Sequence, residues 1–155
     1  MFDTVFVEKE YKDSSIVKSI LVKIKYKEIK EIEFIEDIWG RVKKPYLQKR
    51  ESLNLFLGKK KGTLVKEAPD AYGLGAEKHY YYIHAYNCIY ECQYCYLQGY
   101  FNSPDIVLFL NHAEIIAEMK GIIAHEPDCW FHGGEFSDSL ASVSYTHLRA
   151  HETRH

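Results

Sequence analysis

No stretch of this chain approaches the ~20 consecutive apolar residues that a membrane-spanning helix requires. Its first residues, MFDTVFVEKEYKD, mix acids and bases where a secretory signal would carry a basic start and an apolar run. A cytosolic, reducing compartment is therefore the expectation. An excess of one charge is also lacking: the formal net charge is −2, which says nothing about a polyanionic partner for the molecule as a whole. Cysteine is rare, with four in 155 residues, too few for a disulfide scaffold. Clustered cysteines in a reducing compartment are more often metal-binding or catalytic. What is present is ordinary for one soluble domain with a real core, at 46% hydrophobic and 27% charged residues, though Tyr (13) and Phe (8) are abundant.

Phe2 to Glu8 alternates as a strand does, with Val5 and Val7 on one face and Phe6 on the other. From Ser14 the apolar spacing becomes helical through Ile16, Val17, Ile20, Leu21 and Ile24, with Ser14 or Ser15 as N-cap. Ile32 and Phe34 then alternate with charges, so residues 1 to 38 read as a small β-α-β unit. The segment 41–61 holds eight Lys or Arg and one acid, around a short strand at Leu53, Leu55 and Leu57. It reads either as a solvated surface or as a phosphate-contacting one. Residues 67 to 79 read as a loop, and Tyr80 to Tyr86 as a strand leading straight into Cys88. IVLFL at 106 to 110 suits a strand buried on both faces. Asn111 and Glu114 resemble an N-cap and its partner, opening a helix whose Ile115, Ile116, Met119, Ile122 and Ile123 form a core-packing stripe. Cys129 to Phe131 reads as a further strand ending at Gly133 and Gly134, and strands alternating with helices predict an α/β fold with a parallel sheet.

Three of the four cysteines, Cys88, Cys92 and Cys95, fall within CIYECQYC. A single loop could wrap them around one inorganic centre. A structural zinc would need a fourth ligand from Cys129, His84, His112 or His132, and an iron-sulfur electron carrier likewise takes four cysteines. A site-differentiated four-iron, four-sulfur cluster needs only three and leaves one iron open. C-x3-C-x2-C without a second nearby cysteine pair favours this last choice, since Cys129 stands 34 positions on from Cys95.

CIYECQYC resembles the cysteine motif of radical SAM enzymes, in which S-adenosylmethionine (SAM) chelates the open iron. Tyr94 matches the aromatic residue that family places beside the adenine, and Gly133, Gly134 and Glu135 resemble its glycine-rich SAM-binding motif. Ser137 and Asp138 are further candidates for contacting SAM, or for capping a following helix. The longer stretch NCIYECQYCYLQGYFNSPDIVLFLN, with VEKE at 7 to 10, YYYIHAYNC and GEFSDSLA, is similar to the spore photoproduct lyase family. The resemblance implies reductive cleavage of SAM at the cluster, an electron donor such as flavodoxin or ferredoxin, and repair of a methylene-bridged thymine dimer in ultraviolet-damaged DNA. The basic segment 41–61 would then meet DNA.

Members of that family return a hydrogen atom from a further cysteine, and GEFSDSLA contains none. Cys129, a few residues upstream, is the remaining donor candidate, or else a small buried hydrophobe. Barrels of the radical SAM type need ~200 residues or more, so the chain is expected to hold only the first barrel units. The resulting division is an N-terminal α/β appendage over 1–79, the start of a (β/α) barrel over 80–141 with its cluster loop at 88–95, and a tail over 142–155. In that tail His147, His151 and His155 fall at helical spacing, as in a metal site, but SYTHLRAHETRH resembles a tail that recurs on unrelated predicted proteins. We read it as translated adapter sequence.

Overall fold

The computed structural model describes residues 2–40, 53–69, 77–90 and 92–139. Strand β1 (Phe2–Glu8) buries Val5 and Val7 on one face and stacks Phe6 on Phe56 from the other, with ring centroids 4.6 Å apart. Helix α1 (Ser15–Lys23) starts where expected, because the Ser14 side chain accepts a hydrogen bond from the Val17 amide at 3.3 Å. Val17 is buried beneath it, and Ile16, Ile20, Leu21 and Ile24 pack against Val5, Val7, Leu55 and Leu57.

Strand β2 (Tyr26–Ile32) lies earlier than the pattern at Ile32 and Phe34 suggested. It is an edge strand parallel to β1, exposed along most of its length, so it carries charges on both faces and shows no periodicity to read. Lys27 pairs with Asp3 and Lys12 with Glu31 along that edge. Ile32 is buried, whereas Phe34 is exposed and leads into a 3-10 turn at Ile35–Asp37.

Strand β3 (Leu53–Gly58) flanks β1 on its other side, also parallel. A short strand β4 (Val65–Glu67), not anticipated, pairs antiparallel with β5 (Lys78–Tyr82). The single strand expected over Tyr80 to Tyr86 is two. After Tyr82 the chain bends through Ile83 and His84, and β6 (Ala85–Tyr86) joins the larger sheet. Backbone hydrogen bonds from Ile83 to Leu64 (2.9 Å) and from Phe109 to His84 (2.9 Å) fix the bend between the two sheets.

Strand β7 (Ile106–Phe109) lies between β3 and β6 with Val107 fully buried, as its continuous apolar run requires. Helix α2 (His112–His125) follows, and β8 (Cys129–Gly133) returns parallel to β5. The result is a five-stranded sheet in the order β2-β1-β3-β7-β6 and a three-stranded sheet in the order β4-β5-β8. It is a mixed α/β fold with mostly parallel pairings and two α-helices among the described residues. Both sheets are open in the described residues. The division drawn at residue 79 falls inside β5, and the larger sheet takes strands from both sides of it.

Two expectations for α2 need correction. Asn111 precedes the helix, but its side chain makes no capping bond. Its amide oxygen instead accepts from the Lys60 amide (3.0 Å), and its nitrogen donates to the Lys60 carbonyl (3.2 Å) and to Glu114 (3.2 Å), tying the helix start to the chain after β3. The apolar stripe is only partly core. Ile115 is buried and Met119 and Ile122 pack over Leu64, Val65 and Tyr80, but Ile116 and Ile123 are about half exposed, at 50% and 45%. The small sheet is too narrow to cover the whole stripe.

Candidate functional site

The chain leaves β6 at Tyr86 and enters the cysteine loop through Asn87, whose φ of 58° turns the backbone sharply. Successive turns follow. The Cys95 amide donates to the Cys92 carbonyl (3.0 Å), the Gln98 amide to Cys95 (3.3 Å) and the Tyr100 amide to Leu97 (3.0 Å). The Gln98 side chain also donates to the Cys92 carbonyl, at 2.8 Å. This coiling puts Cys88, Cys92 and Cys95 along one wall of a cavity of about 350 Å³. None of the four cysteines forms a disulfide.

The facing wall is the turn after β8, contributed by Gly133, Gly134, Phe136, Ser137 and Asp138. Gly134 has φ +80°, and a Cβ there would lie 2.0 Å from the Ser137 carbonyl oxygen and 2.7 Å from the His84 ring. Only glycine fits the position. Ser137 is buried, and Phe136 beside it pairs as an isolated bridge with Tyr86, which anchors this wall to the strand that feeds the cysteine loop. Rings of Tyr86, Tyr100, Phe101 and Phe136 pack beneath the loop with centroids about 5 to 6 Å apart. Burial foremost, with the Glu135 charge adding, pushes the Tyr86 phenol up to about 12, so it stays neutral.

Of the residues singled out from the sequence, the cysteine triad, Tyr94, Gly133, Gly134, Ser137 and Asp138 all line this one cavity. Tyr94 is 88% exposed, and its hydrogen bond with the Cys92 side chain raises the phenol pKa. Glu135 is not on the lining. Lys66 Nζ lies 3.2 Å from each of its carboxylate oxygens, yet only Oε1 accepts a hydrogen bond, so the buried Oε2 has no such partner. Cys129 sits at the far end of β8, four residues and so about 13 Å from Gly133 at ~3.3 Å per residue. It packs at the edge of the Leu64, Val65, Tyr80 and Ile115 cluster.

The histidines considered as a fourth metal ligand are likewise elsewhere. His132 hydrogen-bonds His79 at 2.9 Å, and His84 and His112 line a second cavity of about 580 Å³ between α1 and α2. No group of three or more His, Cys, Asp or Glu gathers around one point among the described residues. A single zinc, with Zn–S bonds of about 2.3 Å, needs such convergence. Three thiols lining one cavity can each ligate one iron of a cluster, which is the chemistry this donor set offers. Gly134, where a Cβ has no room, keeps the facing wall bare of a side chain, as a ligand approaching its backbone would need.

In the basic segment, residues 41–52 lie outside the described residues, as does the tail 142–155 with its three histidines. Lys59 pairs with Glu114 at 2.6 Å, Lys60 is partly buried so that desolvation lowers its pKa, and Lys61 sits 3.4 Å over the Phe34 ring. No helix among the described residues is long and apolar enough to cross a membrane.

No protein-family model matches the chain, and no curated protein does. Solved structures do match: a cysteine-to-alanine mutant of spore photoproduct lyase at 21% identity and a tyrosine-to-phenylalanine mutant of it at 20%, each with a TM-score of 0.60. The fold is similar to that of spore photoproduct lyase. The likeness covers 91% of this chain and 42% of each solved structure, so the chain spans less than half the length of the lyase it resembles.

Sequence reasoning did not single out Asn87 or the aromatic cushion under the loop. The high aromatic content and an Asn directly before the first cysteine were the available signals, because Asn is among the few side chains that tolerate positive φ.

Proposed function

We propose that this chain carries the cofactor-binding part of a radical SAM enzyme of the spore photoproduct lyase kind. One observation carries the reading: the cysteine triad and the Gly133–Asp138 turn, far apart in sequence, wall the same cavity. Cys88, Cys92 and Cys95 would hold a four-iron, four-sulfur cluster, and three protein ligands would leave one iron free for SAM. Such a cluster supplies the electron for reductive cleavage of SAM. Gly133 and Gly134 let the backbone approach the cofactor, and Ser137 and Asp138 offer oxygens to its ammonium, whereas Glu135 faces Lys66 off the lining. The Tyr86, Phe101 and Phe136 rings hold the loop and the turn at fixed separation.

The substrate on this reading is a thymine dimer in ultraviolet-damaged DNA, reached through the basic segment 41–61, with flavodoxin or ferredoxin as electron donor. A second substrate class is favoured by one observation. Residues 130 to 139 contain no cysteine, and Cys129 is about 13 Å down β8 from Gly133, so this stretch puts no thiol hydrogen donor beside the cavity, and a radical SAM enzyme acting on another substrate is the second reading.

Anaerobic reconstitution tests the reading. Four irons and four sulfides per chain, with an electron-resonance signal altered by SAM, are expected. One tightly held zinc and no iron would sink it. The DNA arm is tested by reversing the charge of Lys43, Lys44, Lys59 and Lys60: affinity for a DNA duplex and its salt dependence should both fall, and unchanged values remove that arm alone.

A further inference from the structure

Asn87 is the one non-glycine residue with positive φ among the described residues, and it immediately precedes Cys88. It is also buried, at 5% exposure. Its side-chain nitrogen donates to the carbonyls of Ser103 (2.7 Å) and Asp105 (2.8 Å), which lie where the cysteine loop returns to β7. Asn87 therefore joins the two ends of the loop across its base.

The acceptors are themselves fixed. Ser103 Oγ accepts from the Asp105 amide (3.2 Å) and donates to Asp105 Oδ2 (3.1 Å). Asp105 Oδ1 accepts from the Asn54 amide (2.9 Å) and side chain (3.3 Å), and the Asp105 carbonyl accepts from Trp39 Nε1 (3.2 Å). Asn54 in turn accepts from the Thr4 amide at 3.2 Å. An unbroken series of hydrogen bonds thus runs from strand β1 through the central strand β3 to the residue that aims the first cysteine.

Sheet pairing does not explain this arrangement. The β6–β7 ladder ends at the Tyr86 and Val107 pair, and a chain continuing in the extended direction would carry Cys88 on past β7. The left-handed turn at Asn87 instead directs it toward the wall formed by Gly133 to Asp138. Glycine would satisfy the backbone alone. An asparagine tolerates the same backbone and adds two donors that the buried carbonyls require.

We infer that Asn87 is a positioning residue that holds the cysteine loop in its cluster-ready shape before any cluster arrives. The inference rests on the reading of Cys88, Cys92 and Cys95 as cluster ligands, but its main test does not. In the full chain without metal, maleimide labelling of Cys88, with Cys129 as internal reference, and deuterium uptake over residues 88–102 are compared for wild type, Asn87→Gly, Asn87→Asp and Asn87→Ala. Asn87→Gly keeps the backbone and loses the donors, so Cys88 labelling and loop exchange should rise about tenfold, the order expected for a lost buried hydrogen bond. Asn87→Asp sets a carboxylate against two carbonyl oxygens and should loosen the loop further, as should Asn87→Ala, which also strains the backbone. Cys129 labelling should stay at the wild-type rate throughout. Iron retained after reconstitution should fall in the same order.

Equal Cys88 labelling and loop exchange in wild type and Asn87→Gly would overturn the inference. The Gly variant, which suits the native φ, guards against a variant that fails to fold. A wild type that takes up no iron while Asn87→Gly loosens the loop overturns the cluster reading and leaves the positioning role standing.

Discussion

The five-stranded sheet and the cysteine loop are held by different physical means. In the sheet, Val5, Leu57 and Val107 are fully or almost fully buried, and α1 covers one face with its isoleucines. Non-directional burial dominates there, at roughly 25 cal/mol per Å² of apolar surface. In the loop, Tyr94 and Tyr96 are about nine-tenths exposed, and shape comes from turns, a polar clamp at Asn87 and ring contacts underneath. Where surface is left uncovered, directional bonds must do what packing does elsewhere.

The contrast can be broken from the loop side first. Replacing Cys88, Cys92 or Cys95 by Ala should abolish reductive SAM cleavage altogether, measured as 5′-deoxyadenosine release, while the melting temperature of the metal-free chain stays within a degree or two. Retained cleavage in any one of the three would refute the cluster assignment. From the sheet side, Leu57→Ala should destabilise the fold by about 2–5 kcal/mol, the usual range for a large buried aliphatic, read by urea denaturation. At temperatures where the variant is still folded, its iron content per chain should match wild type.

Gly134→Ala sharpens the comparison because Gly134 belongs to both regimes. The added methyl meets the Ser137 carbonyl, and alanine is strained at a φ of +80°. Stability should fall by at least about 1 kcal/mol, and SAM affinity of the reconstituted chain, followed by calorimetry, should drop tenfold or more. An unchanged affinity would mean that the cofactor does not use this wall.

The smallest effect is a pH dependence. Burial foremost, with the His112 charge adding, lowers the His84 pKa, and neither ring nitrogen has a hydrogen-bond partner among the described residues. The folded state therefore prefers neutral His84, whereas the unfolded chain protonates it near 6.5. Its contribution to stability is fully present above about pH 6.5 and is lost as the pH falls toward the lowered folded value. His84→Leu should flatten that acid-side decline in melting temperature. An identical slope in the variant would place the proton uptake on another group.

How much of this was legible beforehand follows the same division. β1, α1, β3, β7, α2 and β8 each carry a periodic or continuous apolar signal, and each lies where its residues suggested. β2 escaped because an edge strand with ion pairs on both faces shows no period, and β4 because three residues are too few to show one. The bend at Ile83 and His84 escaped because the aromatic run from Tyr80 to Tyr86 is equally β-favouring on both sides of it. For the site, spacing singled out the cysteine triad and the resemblance to radical SAM enzymes the Gly-Gly turn, and both line the one cavity. They could not show that Glu135 turns toward Lys66, or that Cys129 is at the opposite end of its strand. Those facts depend on register, which only the folded sheet fixes.

The bend at Ile83 and His84 makes one continuous segment a member of both sheets. Cys88 lies a few residues beyond this joint in the direction of the larger sheet, while Gly133 is paired in register with Tyr82 just before it. The two walls of the cavity are therefore the two arms of a single pivot, and the width of the opening is a function of the angle held there. Leu64 and Phe109, neither on the cavity lining, clasp that pivot through their backbones and so set the span between the two walls from outside it.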